Sequence, residues 1–271
     1  MTDHQSRAEL FRSLHIPGSP LVLVNAWDAA SARVVAAAGA SAVATTSAGV
    51  AWSLGSPDGD ALDRDDAVEL IRRVAAAVPL PVSADIESGY GRTPAEVGDT
   101  VRAVLAAGAV GVNVEDARYD GGEPLRPVDE QCARLAAVRS AGDAAGVPLY
   151  LNARIDTFLR GGGDVGETVA RASAYLAAGA DGVFVPGVVD PAVIRHLAEA
   201  IPAPLNVLAG PGAPTVGELA TLGVARVSLG SAVAEGAYAV ARRAADEAFG
   251  AGTYGALADA LDYGTLNALM R

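Results

Sequence analysis

The chain has 271 residues, a formal net charge of −12, twenty basic residues that are all arginine, and one cysteine, Cys132. A chain without lysine cannot run Schiff-base chemistry, one without a basic cluster lacks the footprint of a nucleic-acid binder, and a lone cysteine forms no internal disulfide. Hydrophobic residues make up 51% and aromatics only 5%, an Ala, Val and Leu-rich balance that suits parallel strands under close-packed helices.

In chain order, residues 1–15 read as a helix lying under the domain. No charged segment followed by an apolar run opens the chain, so a cytoplasmic location is expected. Leu21 to Asn25 is the first strand and 29–38 the first repeating helix. Residues 34–57 carry no charge and could span a bilayer by length. They are built from Ala, Gly, Ser and Thr, however, which favours a soluble strand with a helix and a loop, and no membrane contact. An Ala-rich helix end, a glycine and a β-branched run then recur. Ala37-Ala38-Gly39-Ala40 precedes the strand at 42–47, Ala106-Ala107-Gly108-Ala109 that at 111–116, Ala177-Ala178-Gly179-Ala180 that at 182–186, and Leu222-Gly223-Val224-Ala225 that at 226–230. Glycine just past a helix end takes the left-handed conformation without a Cβ penalty, so each copy marks a helix-to-strand joint. Strands introduced by proline fall between them, at 81–85, 148–152 and 204–208. Helical patterns occupy 61–78, 94–107, 129–145, 164–178, 190–200, 214–222 and 231–249.

Strict alternation of eight strands and helices predicts an α/β fold, a (β/α)₈ TIM-type barrel of one domain over 1–271, with an N-terminal helix and an extra C-terminal tail at 251–271. The tail is expected to pack on a neighbouring subunit of a homo-oligomer, a dimer or tetramer. An open doubly wound sheet would carry a Gly-rich phosphate turn after its first strand, and Asn25-Ala26-Trp27-Asp28 is not one.

In barrel enzymes the chemistry sits at the C-terminal strand ends, and acids crowd there. Strand 3 ends in Asp85-Ile86-Glu87, strand 4 in Glu115-Asp116, strand 5 in Asn152-Ala153-Arg154-Ile155-Asp156, and the loop after strand 2 carries Asp58 and Asp60. Alternation puts Asp85 and Glu87 on one side. Converging carboxylates repel unless a cation neutralises them, and an all-oxygen set without histidine favours Mg²⁺, with Mn²⁺ as substitute, over zinc. Asp85 is expected as direct ligand, with Glu87, Asp58 and Glu115 acting through water. Arg154 is expected to clamp a substrate carboxylate, or else to partner Glu115. Ser47, Ala48 and Gly49 would offer backbone N–H groups to a second carboxylate or oxyanion, and Asn206 a side-chain donor. Tyr119, Asp120 and Glu123 lie on a Gly-containing loop that could close over the mouth, with Tyr119 or Glu123 as proton donor.

At these residues the chain resembles the isocitrate lyase and phosphoenolpyruvate mutase superfamily, through Asn25 to Arg33, Thr46 to Ala51, Gly55 to Asp58, Ser83 to Gly91, Gly111 to Asp116, Asn152 to Asp156 and Phe184 to Gly187. The resemblance implies Mg²⁺ holding an oxo-acid or its enolate, with Asp58, Asp85, Glu87 and Glu115 around the metal and Ser47, Ala48, Gly49, Arg154 and Asn206 on the substrate. It also implies tetramers that exchange a C-terminal helix. Isocitrate-type lyases carry a Lys-(Lys/Arg)-Cys-Gly loop after strand 4, whereas Ala117 to Leu125 here holds neither lysine nor cysteine, and Cys132 falls in a helix core. Authentic isocitrate or methylisocitrate lyase activity, and conversion of phosphoenolpyruvate to phosphonopyruvate, are therefore not expected. The expectation is a Mg²⁺-dependent carbon-carbon lyase or decarboxylase on a small 2-oxo or 2-hydroxy (di)carboxylate, working through an enolate. The alternatives are phosphorus-carbon chemistry on a phosphonopyruvate-like acid, or a non-catalytic oxo-acid binding protein.

Overall fold

The structure, a computed structural model, describes residues 3–271; the first two residues of the expected N-terminal helix lie outside the described residues. Eight strands, β1 (Leu21–Leu23), β2 (Val43–Ala44), β3 (Val82–Asp85), β4 (Gly111–Glu115), β5 (Tyr150–Arg154), β6 (Gly182–Val185), β7 (Leu205–Leu208) and β8 (Arg226–Ser228), pair in parallel in the order β1-β8-β7-β6-β5-β4-β3-β2. The seam between β1 and β2 is closed by one parallel bridge, Ala26 to Thr45, through Ala26 N to Ala44 O at 2.8 Å and Thr46 N to Ala26 O at 3.0 Å. The result is the expected (β/α)₈ barrel.

Helix α1 (Asp3–Ser13) lies under the floor. Around the wall run α2 (Ala29–Ala37), α3 (Ser47–Ser53), α4 (Arg64–Ala77), α5 (Pro94–Ala106), α6 (Val128–Ala144), α7 (Thr157–Arg160), α8 (Val165–Ala177), α9 (Pro191–Ala200), α10 (Val216–Thr221) and α11 (Ala232–Gly250). The four glycines read as helix-to-strand joints, Gly39, Gly108, Gly179 and Gly223, all sit at φ between 87° and 109°, a region where a Cβ would be strained. Their recurrence fixed the period of the fold. Two short helices, α3 and α7, escaped the periodic reading. Each is only one or two turns long and follows directly on a strand end, too brief for a hydrophobic repeat to register.

β1, β2, β4, β6 and β8 stop one to three residues before their expected ends, and β5 lies two residues later than expected, at 150–154. The barrel's lower core is aliphatic on the helix side, with Val101, Leu135, Val138, Leu149, Leu151, Val183, Leu197 and Val207 sealed from solvent. The inside of the cylinder is polar by comparison. Ser83, Asn113, Asn152, Asn206, Arg226 and Ser228 are all buried, and Phe11 and His15 at the end of α1 stop the bottom. The His15 ring stacks on Tyr150 at 3.8 Å and meets Phe11 edge-on at 4.8 Å.

The last barrel helix departs from the pattern. Ala234 is the one residue of α11 that is buried, while Phe249, Tyr254 and Tyr263 stand 76% to 90% exposed. Beyond it a 3₁₀ turn (Gly255–Leu257) leads to α12 (Tyr263–Leu269), which comes back to α2, where Arg33 Nη1 donates to Leu269 O at 2.8 Å. Within the chain, then, the end of the tail caps its own barrel. An apolar groove of about 680 Å³, lined by Leu14, Ile16, Leu21, Val22, Val34 and Val35 among others, lies beside the start of α11. No helix among the described residues is long and apolar enough to cross a membrane.

Burial chiefly, helped by the nearby Arg226 charge, lowers the pKa of His15 from 6.5 to about 3. The folded state therefore keeps His15 neutral while the unfolded chain protonates it below 6.5, so stability is full above that value and falls as pH drops towards 3. Urea unfolding between pH 7 and pH 4 should show this loss, and His15→Phe should flatten it; equal slopes for both proteins would contradict the assignment.

Candidate active site

At the open end of the cylinder a cavity of about 170 Å³ is lined by Asn25, Ser47, Ala48, Asp58, Asp85, Asn113 and Arg154, with Leu159, Phe184, Pro186 and Leu208 forming an apolar side. Asp85 ends β3 and Arg154 ends β5, so the sheet itself sets them facing each other. Asp85 is held by its own neighbourhood: its backbone N–H donates to Thr45 Oγ1 at 2.9 Å, and its Oδ1 accepts from Glu87 N at 3.2 Å. Burial pushes its carboxyl pKa up, against the opposing pull of Arg154, and the neighbouring Asn113 amide also favours the ionised form.

Arg154 lies against Glu115, the partner expected for it as the alternative to a substrate carboxylate. Its Nε and Nη2 grip Asp156 at 2.7 and 3.0 Å, and its Nη1 lies 2.6 Å from Glu115 Oε2. Although burial works against the charge, Glu115, Asp156 and Asp85 together hold the guanidinium protonated. A guanidinium has five donor hydrogens, so N–H bonds on Nη1 and Nη2 stay uncommitted at the cavity. The Glu115 contact is close but poorly angled, and Glu115 Oε2 has no hydrogen-bond partner despite full burial. Burial raises the Glu115 pKa well above its ordinary value, with Arg154 opposing. The other oxygen of Glu115 takes a short hydrogen bond from Tyr119 OH.

Glu87 behaves differently from the expectation. β3 ends at Asp85, and Glu87 sits at φ 51°, so strand alternation no longer governs where it points. Its Oε2 accepts from Gly59 N at 2.9 Å and from Asp60 N, and its Oε1 from Tyr90 OH at 2.9 Å. Burial raises it to about 7, with Asp58 and Asp60 adding to the rise. It thereby ties the Asp58-bearing loop to β3. Asp60 and Tyr90 also have positive φ, 58° and 50°; strained non-glycine residues of this kind gather where a site over-determines its backbone.

Ser47 and Ala48 line the cavity as the first turn of α3. First-turn N–H groups have no partner within their helix. Gly49 does not line it: a Cβ there would meet Thr46 Cγ2 at 2.7 Å and Trp27 Cβ at 2.9 Å, so its place is set by packing. Asn206 is buried below the mouth, accepting from Ser228 Oγ at 3.2 Å with its Nδ2 unpartnered. Glu123 and Asp120 are exposed on the loop after β4 and outside this cavity. Tyr119 reaches the rim through Glu115, and Arg160 stacks 4.3 Å from its ring centroid. Asn25, Asn113 and Phe184 are cavity residues the sequence reading did not single out as site residues; Asn25, whose Oδ1 accepts from Leu229 N and Gly230 N, and Asn113 could have been found as polar residues on otherwise apolar strands.

No group of three or more His, Cys, Asp or Glu among the described residues is close enough to cage a metal. Mg²⁺ takes only one or two carboxylates directly and keeps its waters. The donor set fits such an ion: Asp85 and Asp58 line the cavity and offer carboxylate oxygens.

The mouth of the parallel barrel thus gathers two acids and a guanidinium around one cavity. The sequence profile of the phosphoenolpyruvate phosphomutase family matches residues 11–249, and the chain belongs to that family, within the isocitrate lyase/phosphoenolpyruvate mutase superfamily of lyases and mutases. An uncharacterized Mycobacterium tuberculosis protein is 41% identical over 238 residues, 86% of this chain and 87% of its own. The 2-methylisocitrate lyase of Escherichia coli is 32% identical over 208 residues, 71% of this chain and 70% of its own. The solved structure of 2,3-dimethylmalate lyase matches with a TM-score of 0.85 at 26% identity, covering 99% of this chain and 94% of that one.

Removing the guanidinium leaves Glu115 buried without a cation and Asp156 with only the 4.0 Å contact to Arg160, a loss of about 3–5 kcal/mol. Arg154→Leu should lower the urea midpoint accordingly at neutral pH; a midpoint unchanged from the parent would show that the pairing contributes nothing.

Proposed function

We propose that the protein is a Mg²⁺-dependent carbon-carbon lyase or decarboxylase acting on a small 2-oxo or 2-hydroxy (di)carboxylate through an enolate. The observation that carries this reading is the small cavity in which Asp58 and Asp85 confront Arg154. Asp85 would hold the ion directly, with Asp58 and Glu115 ordering its waters. When bound, Mg²⁺ supplies Lewis-acid stabilisation of negative charge on the substrate oxygen.

The chain's own groups do the rest. Arg154 offers its uncommitted N–H bonds to a substrate carboxylate, a charge-assisted contact. The Ser47 and Ala48 amides can donate to a second anionic oxygen. Leu159, Phe184, Pro186 and Leu208 keep water from that side. The phenol of Tyr119, whose pKa burial and Glu115 both raise, stays protonated at neutral pH and can give a proton to a carbanion in place of the cysteine that isocitrate-type lyases use. The lyase names of the Escherichia coli relative and of the dimethylmalate enzyme support the C–C reading, while the phosphomutase name of the family supports the phosphorus alternative.

A panel of oxaloacetate-like and substituted malate-like acids, assayed with and without EDTA, should reveal turnover that EDTA abolishes and Mg²⁺ restores. Asp85→Ala should lose it with an unchanged circular dichroism spectrum. Stabilisation by Mg²⁺ plus oxalate without product would instead mark a binding protein, and a moving ³¹P signal from phosphonopyruvate would mark phosphorus chemistry.

We further propose that the working form is a homo-oligomer in which α11 of one copy covers the apolar groove beside β1 and α2 of another. Its support is a barrel helix that buries one residue in its own chain next to an uncovered groove. Sedimentation velocity should give a dimer or tetramer; a monomer across micromolar concentrations would refute it.

A further inference from the structure

Beneath the mouth a column of polar side chains runs down the barrel axis to Arg226. This residue begins β8, beside Asn206 in register, and has no exposed surface. Among the described residues no carboxylate lies within ion-pair distance of it. Its Nε donates to Ser228 Oγ at 3.3 Å and its Nη2 to Asn113 Oδ1 at 3.4 Å, while Nη1 has no partner. The guanidinium carbon sits 6.0 Å from the Phe11 ring centroid at the floor. Burial brings its pKa down to about 10, which still leaves it charged at neutral pH.

A buried, unpaired guanidinium is an expensive way to fill space, because an apolar side chain of that volume carries no desolvation penalty. What the charge does is visible one layer up. Asn113 Oδ1 accepts from Asn152 Nδ2 at 2.9 Å as well as from Arg226. An amide oxygen has two lone pairs, and both are filled by donors from below and beside it. Turning the amide over would set its NH₂ against two donors. The NH₂ must therefore face upward, towards Asp85, the register partner of Asn113 on β3, and the cavity that both residues line.

We propose that Arg226 is a positioning residue for the mouth: together with Asn152 it locks the Asn113 amide so that its NH₂ is always presented to Asp85. The proposal rests on the reading of Asp85 as the carboxylate that holds Mg²⁺, and it explains why a charged residue was placed at the barrel floor with no acid to meet it. Groups that orient a ligand carboxylate without touching the metal commonly change metal affinity by about 10–100-fold.

The test compares Arg226→Met, which fills the space without a donor, with Arg226→Gln, which keeps an amide donor. The first readout is the Asn113 side-chain ¹H–¹⁵N pair in protein labelled with ¹⁵N-asparagine, identified by its absence in Asn113→Ser. The second is calorimetric titration of Mg²⁺ with oxalate. The Met variant should shift or broaden the Asn113 pair and weaken Mg²⁺ and oxalate binding by about tenfold or more, and the Gln variant should recover most of both. A Met variant with the Asn113 pair and the affinity of the parent, or Met and Gln variants that behave alike, would overturn the proposal. Should the Met variant not fold, Asn152→Ala removes the other donor and must move the same resonance. If the parent binds neither Mg²⁺ nor oxalate, the proposed function falls, while the resonance still decides whether Arg226 holds Asn113.

Discussion

The mouth of this barrel depends on one guanidinium placed between three acids. Arg154 is gripped by Asp156, set against Glu115 and faced by Asp85, and each of those carboxylates would be costly to bury on its own. The sheet makes the arrangement: Glu115 and Arg154 are register partners at the ends of β4 and β5, so the pairing is built into the strands rather than left to loops. A rigid fork held on two sides keeps its remaining donors aimed in one direction, which is the geometry needed to seize a carboxylate without first paying to order the side chain.

Around that centre, the three loops that follow β2, β3 and β4 are tied by carboxylates instead of by apolar packing. Glu87 gathers the Gly59 and Asp60 amides, Asp60 takes Ser88 Oγ at 2.5 Å, and Glu115 holds Tyr119. These bonds fix strained backbone at positions 60, 87 and 90. Acids here thus have two separate duties, and residue type alone does not tell them apart. Asp85 looks into the cavity, whereas Glu87, two residues on, serves as loop architecture with its carboxylate oxygens already accepting.

The barrel was legible because its joints repeat. The Gly39, Gly108, Gly179 and Gly223 turns announce a period, and a period of strand and helix admits few topologies. The acids at the strand ends were legible by position for the same reason. Glu87 was misplaced because alternation holds only while the strand lasts, and nothing in Asp-Ile-Glu announces that β3 stops at the aspartate. The helix that begins at Ser47 was missed because a seven-residue helix has too few turns to display a face. The Arg226 column was invisible for another reason: a lone arginine in Arg-Val-Ser reads as a surface residue, and only closure of the cylinder turns it inward.

The cylinder is closed unevenly. β4 and β5 pair over five residues, but β1 and β2 meet through a single bridge held by two backbone hydrogen bonds. Local opening costs least where fewest contacts must break, so this seam is the place where the wall unzips first. The Thr45 that forms the seam also holds the Asp85 backbone, and Ser47 follows two residues later. Breathing of the weakest stave is thereby coupled to the shape of the mouth, and anything that clamps the mouth shut also hoops the barrel.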